Sequence, residues 1–259
     1  MAFANLQNKK EIKMLTTQED LYNGLIIDPQ STQISNKEFK TSLEALIIHA
    51  KEKKKNLLWL DLTTTQAQHI ATALEFGFEF HNCEKRRTTL TYQVKNNAYI
   101  PVPPTHTMGV GAVVINEKNE ILLVRDKIHV SSSIYKIPGG MLEEGNSLQE
   151  GVQREVWEET GIKTKFIKMV SVLNAHPFMF NKSNMYLVFK LEPLNLEINI
   201  IDTDEIEKAF WMPLDEFFAE KEMSEFQKEL VRASLKHEGI SLIDNKLPLG
   251  NRKHIEVYA

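Results

Sequence analysis

From Asn36 to Ala50 the apolar residues Phe39, Leu43, Leu46, Ile47 and Ala50 recur at spacings of three and four, which predicts an amphipathic helix. Residues 1 to about 35 are polar with little periodicity and read as an arm or a loosely packed start. Leu57–Leu62 has the short apolar run of a buried strand, and Thr63–Phe76 follows a helical period with Thr64 or Thr65 as caps. Phe78–Phe80 and Thr89–Lys95 read as two short strands joined by the charged turn Glu84–Arg87. Asn96-Asn97 and Pro101-Val102-Pro103-Pro104 then stop regular structure and place a domain boundary near residue 100. The expected division is a small α/β unit over 1–100 and a second domain over 101–259.

In that second domain, Met108–Ile115 and Glu120–Arg125 read as a pair of strands around Asn116–Asn119. A helix follows over Ser147–Thr160, then strands near Lys165–Asn174 and Asn184–Leu191, and a last strand near Ala209–Trp211 ending at Pro213. Leu214–Phe218 and Met223–His237 are helical. Strands interleaved with helices imply a mixed sheet sandwiched between helices.

Composition narrows the functional classes. The 259 residues, 42% hydrophobic and 25% charged, are ordinary for a globular protein with a real core. A net charge of −4 supplies no general attraction to nucleic acid or an anionic membrane. The basic run Lys51–Lys55 reads as a solvated helix end rather than a phosphate site. No apolar run approaches the roughly 20 residues needed to span a bilayer, and the N-terminus lacks a signal-peptide core. Cys83 stands alone, which excludes an internal disulfide framework and a cysteine-rich zinc site. A cytoplasmic setting is the expectation.

The chemistry concentrates between Gly139 and Ile162. Gly139, Gly140 and Gly145 mark a loop of unusual backbone angles or close approaches. Ser147 with Glu150 forms a capping box, and Gly161 closes the helix. At about 100° per residue with Leu148 at zero, Val152 and Val156 fall at roughly 40° and 80° and define the apolar stripe. On the same scale Glu155 lies at roughly −20°, Glu159 at roughly +20° and Glu158 at roughly −80°. Acidic residues on a helix are commonly solvated, but two of these point along the stripe that faces the protein. Buried, unpaired carboxylates are costly and repel one another. Arg154 alone cannot neutralise three of them, whereas a hard divalent cation with oxygen ligands can.

This segment resembles the Nudix box, G-x5-E-x7-R-E-U-x-E-E-x-G-U with U a bulky aliphatic residue. Gly140, Arg154, Glu155, Val156, Glu158, Glu159, Gly161 and Ile162 match at the required spacing. Asn146 stands where the family has a glutamate, which implies weaker metal binding or fewer ions bound. The resemblance covers about 105–220 and implies a Nudix α/β/α sandwich that uses Mg²⁺, or Mn²⁺, to direct water at a phosphorus of a nucleoside diphosphate derivative. It further implies that Glu158 and Glu159 ligate the metal with the carbonyl of Gly140, and that Glu155 is a further ligand or orients the water. Arg154 then holds the glutamates, and a glutamate outside the box joins the site, with Glu205 first and Glu207 second in line.

The layout, with Ala73-Leu74-Glu75-Phe76-Gly77-Phe78 and Tyr135-Lys136-Ile137-Pro138-Gly139-Gly140, is similar to plant ADP-ribose/NADH pyrophosphatases and to an animal Nudix protein of the same organisation. Ser183-Asn184-Met185-Tyr186 resembles a strand start of that subgroup. The N-terminal region resembles half an acetyltransferase fold without the glycine-rich segment that cradles acetyl-CoA, so the expected role is dimerisation or shaping the substrate pocket. Pro177, fifteen residues beyond Ile162, occupies a position where ADP-ribose pyrophosphatases often carry proline. Phe178 and Phe180 could stack on an adenine, although aromatics near a sheet are more commonly core, and His176 reads as a hydrogen-bonded loop histidine. The expected activity is hydrolysis of ADP-ribose or NADH to AMP by a homodimer, with a small-molecule nucleotide as its partner. The rival reading is a non-catalytic nucleotide sensor with a Nudix fold.

Overall fold

The computed structural model describes residues 14–128, 134–243 and 256–259. The chain divides into two units, Met1–Pro104 and Thr105–Ala259.

In the first unit the strands are β1 (Thr17–Glu19), β2 (Leu25–Ile27), β3 (Leu57–Thr63), β4 (Glu79–Cys83) and β5 (Arg87–Gln93), and the helices are α1 (Asn36–Glu52) and α2 (Gln68–Glu75). They form a sheet of order β1-β2-β3-β5-β4 in which only β2 and β3 run parallel. Ser35 caps α1, its hydroxyl accepting from the Glu38 N–H while Glu38 reaches back. Phe39, Leu43, Leu46 and Ile47 of α1 bury against Leu58, Leu60 and Leu62, the residues of one face of β3.

Two expectations are corrected here. The segment before residue 35 is not a loose start: Leu15, Leu25 and Ile27 are core, and Asp20 accepts from the Tyr22 and Gly24 N–H groups to turn β1 into β2. Its strands are three residues long, too short to show a period. Residues 1–13 lie outside the described residues. The helix expected over Thr63–Phe76 begins as a 3-10 turn, Thr64–Gln66, and α2 starts only at Gln68. Three consecutive β-branched threonines favour the extended entry, and Thr63, not Thr64 or Thr65, bonds Gln66 through its N–H and hydroxyl.

The second unit comprises β6 (His106–Val114), β7 (Glu120–Asp126), β8 (Gly139–Met141), α3 (Leu148–Thr160), β9 (Thr164–Ala175), β10 (Ser183–Pro193), β11 (Ile206–Pro213), α4 (Leu214–Ala219), α5 (Glu225–Lys236), β12 (Leu242–Ile243) and β13 (Val257–Tyr258). The main sheet has the order β8-β6-β10-β9, with β6 and β10 parallel and the other pairs antiparallel. Val110, Ala112 and Val114 of β6 and Leu187, Phe189 and Leu191 of β10 pack with Val152 and Val156 of α3. Val113 and Val188 face the other way, into a second core with Leu214, Phe217, Leu230 and Val231 of α4 and α5. Burial on both faces explains why β6 reads as a continuous apolar run rather than an alternation.

The pair expected from Met108–Ile115 and Glu120–Arg125 opens at once. Beyond the Ile115–Ile121 bridge, β6 joins β8 and β10 while β7 pairs with β11 in a separate two-stranded ladder. The division carries the chain end of β7 to β11, and with it part of the site. The last long helix starts at Glu225 because Ser224 caps it, accepting from the Gln227 N–H.

Gly161 ends α3 in the left-handed region at φ 74°, and a Cβ there would lie 2.3 Å from the Asn199 carbonyl oxygen. Gly161→Ala is expected to destabilise the protein by about 2 kcal/mol or more. Urea unfolding reads this as a lower midpoint with unchanged slope. At the other end of α3, the Glu256 carboxylate accepts from the Leu148 N–H at 2.7 Å, adding a second cap to that of Ser147.

Candidate active site

The last turns of α3 and the glycines of β8 meet as the helical wheel implies. Glu159 is 3% exposed, and its Oε2 accepts from the Gly139 N–H at 2.8 Å. Glu155 is largely buried beside Gly140, where a Cβ would lie 2.6 Å from Glu155 Oε2, so a side chain at 140 would push that carboxylate aside. Glu158 is more open. Arg154 spans both, 2.7 Å from Glu155 Oε1 and 2.5 Å from Glu158 Oε2.

Glu205 arrives from the segment before β11. Asp202 Oδ1 accepts from the Asp204 and Glu205 N–H groups, and the Lys127 N–H donates to the Glu205 carbonyl. Asp126, at the end of β7, is the register partner of Ile206. Ligand oxygens of Asp126, Glu159 and Glu205 all lie within 4.8 Å of one another. Glu155 and Glu158 stand outside that group, tied to Arg154. Glu207, the second candidate, instead pairs with Arg125 at 3.0 Å. His176 bonds Ser183 through Nδ1 at 3.2 Å. Phe178 and Phe180 are 37% and 90% exposed and so are not core, because the connection from β9 to β10 carries them beyond the sheet.

Two members were not found by sequence reasoning. Asp126 ends an apolar strand with no motif around it, and only the β7–β11 ladder brings it to Glu205. Lys136 lies 3.3 Å from Glu159 Oε1 and 3.0 Å from Asp126 Oδ1. Its available signal was a lysine three residues before the paired glycines.

The electrostatics show a site short of positive charge. Burial pushes the Glu159 carboxyl up to about 8, even though Lys136 and the Gly139 N–H pull it down. Burial also raises Glu155, opposed by Arg154 and reinforced by Glu158 and Glu205. Desolvation works to lower Lys136, yet Glu159 and Asp126 outweigh it and hold its ammonium above the usual lysine range. Clustered hard oxygen donors and a carboxylate unable to ionise freely suit a divalent cation such as Mg²⁺.

Comparison with known proteins shows the family. Residues 105–233 match the NUDIX domain, and residues 15–94 match a family described as a Nudix hydrolase domain. Nudix hydrolase 8 of Arabidopsis thaliana is 34% identical over 92% of this chain and 67% of its own length. Nudix hydrolase 2 of the same plant is 33% identical over 79% of this chain and 74% of its own. The human nucleoside diphosphate-linked moiety X motif 6 is 29% identical over 80% of this chain and 66% of its own. The chain belongs to the Nudix hydrolases, pyrophosphohydrolase enzymes that act on nucleoside diphosphate derivatives with divalent metals. Among the described residues no helix is long and apolar enough to cross a membrane.

Proposed function

We propose that the protein hydrolyses ADP-ribose or NADH in the presence of Mg²⁺, releasing AMP. The observation that carries the reading is the convergence of Glu159, Asp126 and Glu205 beside the Gly139–Gly140 backbone. Glu159 and Glu205 would hold the ion, with Glu155, Glu158 and the Gly140 carbonyl available on the helix side. Bound there, a divalent ion polarises phosphoryl oxygens and lowers the pKa of its water. Glu155 orients the attacking water, and Arg154 keeps Glu155 and Glu158 in place. Lys136 stabilises the ionised form of Glu159 and bridges it to Asp126. For the substrate, Pro177 occupies the position noted for ADP-ribose pyrophosphatases, and the exposed rings of Phe178 and Phe180 are open to an adenine. The N-terminal unit serves dimerisation, and the working form is a cytoplasmic homodimer, which sedimentation and cell fractionation test.

The experiment is Mg²⁺-dependent AMP release from ADP-ribose, NADH, FAD and diadenosine polyphosphates. Turnover of ADP-ribose or NADH above the others is expected. Preference for another dinucleotide overturns the substrate assignment, and tight nucleotide binding without turnover moves the reading to a sensor.

A further inference from the structure

Two glycines of β6 make room for one tyrosine. Tyr186 of β10 is the register partner of Gly109 on β6, and a Cβ on Gly109 would lie 2.7 Å from its ring. A Cβ on Gly111 would lie 2.1 Å from the Tyr186 hydroxyl, and one on Gly139 would lie 2.9 Å from it. Side chains at 109 and 111 would expel the ring, so β6 is hollowed to hold it, whereas residue 139 is kept bare first by the Val110 carbonyl, 2.2 Å from where its Cβ would lie. The hydroxyl end rests against Gly139, whose N–H donates to Glu159. Among the described residues the hydroxyl has no hydrogen-bond partner. Tyr186 is half-buried, so its hydroxyl stays open to solvent beside the Gly139 backbone, and phenylalanine would fill the same space without offering a hydrogen bond there.

From this we infer that Tyr186 is a substrate-binding residue whose hydroxyl donates a hydrogen bond to an oxygen of the diphosphate. The phenol stays protonated, since burial first and then the carboxylates of Glu159 and Glu155 push its ionisation upward. It is therefore a donor and not a metal ligand. The group it meets is the diphosphate common to all substrates of this class, not the nucleoside. The inference rests on the diphosphate-hydrolase reading above.

The test is Tyr186→Phe in the full chain, with wild-type turnover measured first. Expected is a fall in kcat/KM of about 10- to 100-fold, the range for a hydrogen bond to a charged acceptor. The fall should be similar on ADP-ribose and NADH, with the Mg²⁺ half-saturation and the Tm unchanged. A kcat/KM within twofold of wild type overturns the assignment, and so does a loss that follows a lowered Tm or a shifted Mg²⁺ requirement. If the wild type turns over neither substrate, the functional reading falls by itself. Tyr186 is then judged by calorimetric binding of α,β-methylene-ADP with Mg²⁺: weaker binding by Tyr186→Phe supports the inference, and equal binding overturns it.

Discussion

Glu159→Gln is expected to lower kcat by about 10³-fold or more while leaving the protein folded. The substitution keeps the size of the side chain and an oxygen to accept from the Gly139 N–H, but removes the charge at the centre of the carboxylate group. Loss of a metal's polarisation of a phosphoryl centre costs several kcal/mol in the barrier, and each 1.4 kcal/mol is about tenfold. A variant retaining more than a tenth of wild-type turnover at saturating Mg²⁺ would show that Glu159 is not a ligand. The same residue gives a pH signature. Its folded-state pKa is raised from 4.5 to about 8, so its contribution to stability is fully present below pH 4.5 and is lost as pH rises through 8. The metal-free protein should therefore weaken between those values, and Glu159→Gln should flatten the slope. Mg²⁺ binding at pH 7 should release a proton, which calorimetry in buffers of different ionisation enthalpy detects.

Lys136→Met is expected to cost about 3 kcal/mol of stability at pH 8 without metal, the low end for breaking a buried ion pair, because part of the lysine side chain reaches solvent. The methionine fills similar space but leaves Glu159 and Asp126 facing one another with no cation between. Two features separate this charge effect from lost packing. At pH 5 the cost should shrink, because Glu159 then binds its proton readily. At pH 8, Mg²⁺ should restore much of the loss, because it supplies the missing charge. Denaturant unfolding in EDTA and in Mg²⁺ measures both, and a cost unchanged by pH and metal would assign Lys136 to packing alone. Combined with Glu159→Gln, the two losses should be less than additive, since both residues belong to one ion pair.

Local chemistry by itself determined most of α3, the helix of the candidate site. The Ser147–Glu150 capping box, the Gly161 stop and the 3.6-residue period set its ends and its buried face. They also placed Glu155 and Glu159 along the buried stripe and Glu158 beside it, and Glu158 is the most open of the three. Signals of this kind act over a few residues, so they survive in the linear chain. They fail where elements are short or face two cores: β1 and β2 carry three residues each, and the turn after β6 reads as a hairpin although its strands part. Tertiary structure alone decided the rest of the site. Asp126, Lys136, Glu159 and Glu205 come from four separate segments and meet because β7 pairs with β11 while α3 packs on β6. Tyr186 reaches Gly139 only through the parallel β6–β10 register. Which carboxylates share one cation depends on distances across the fold, and those distances follow from strand pairing and core packing rather than from any neighbourhood in sequence.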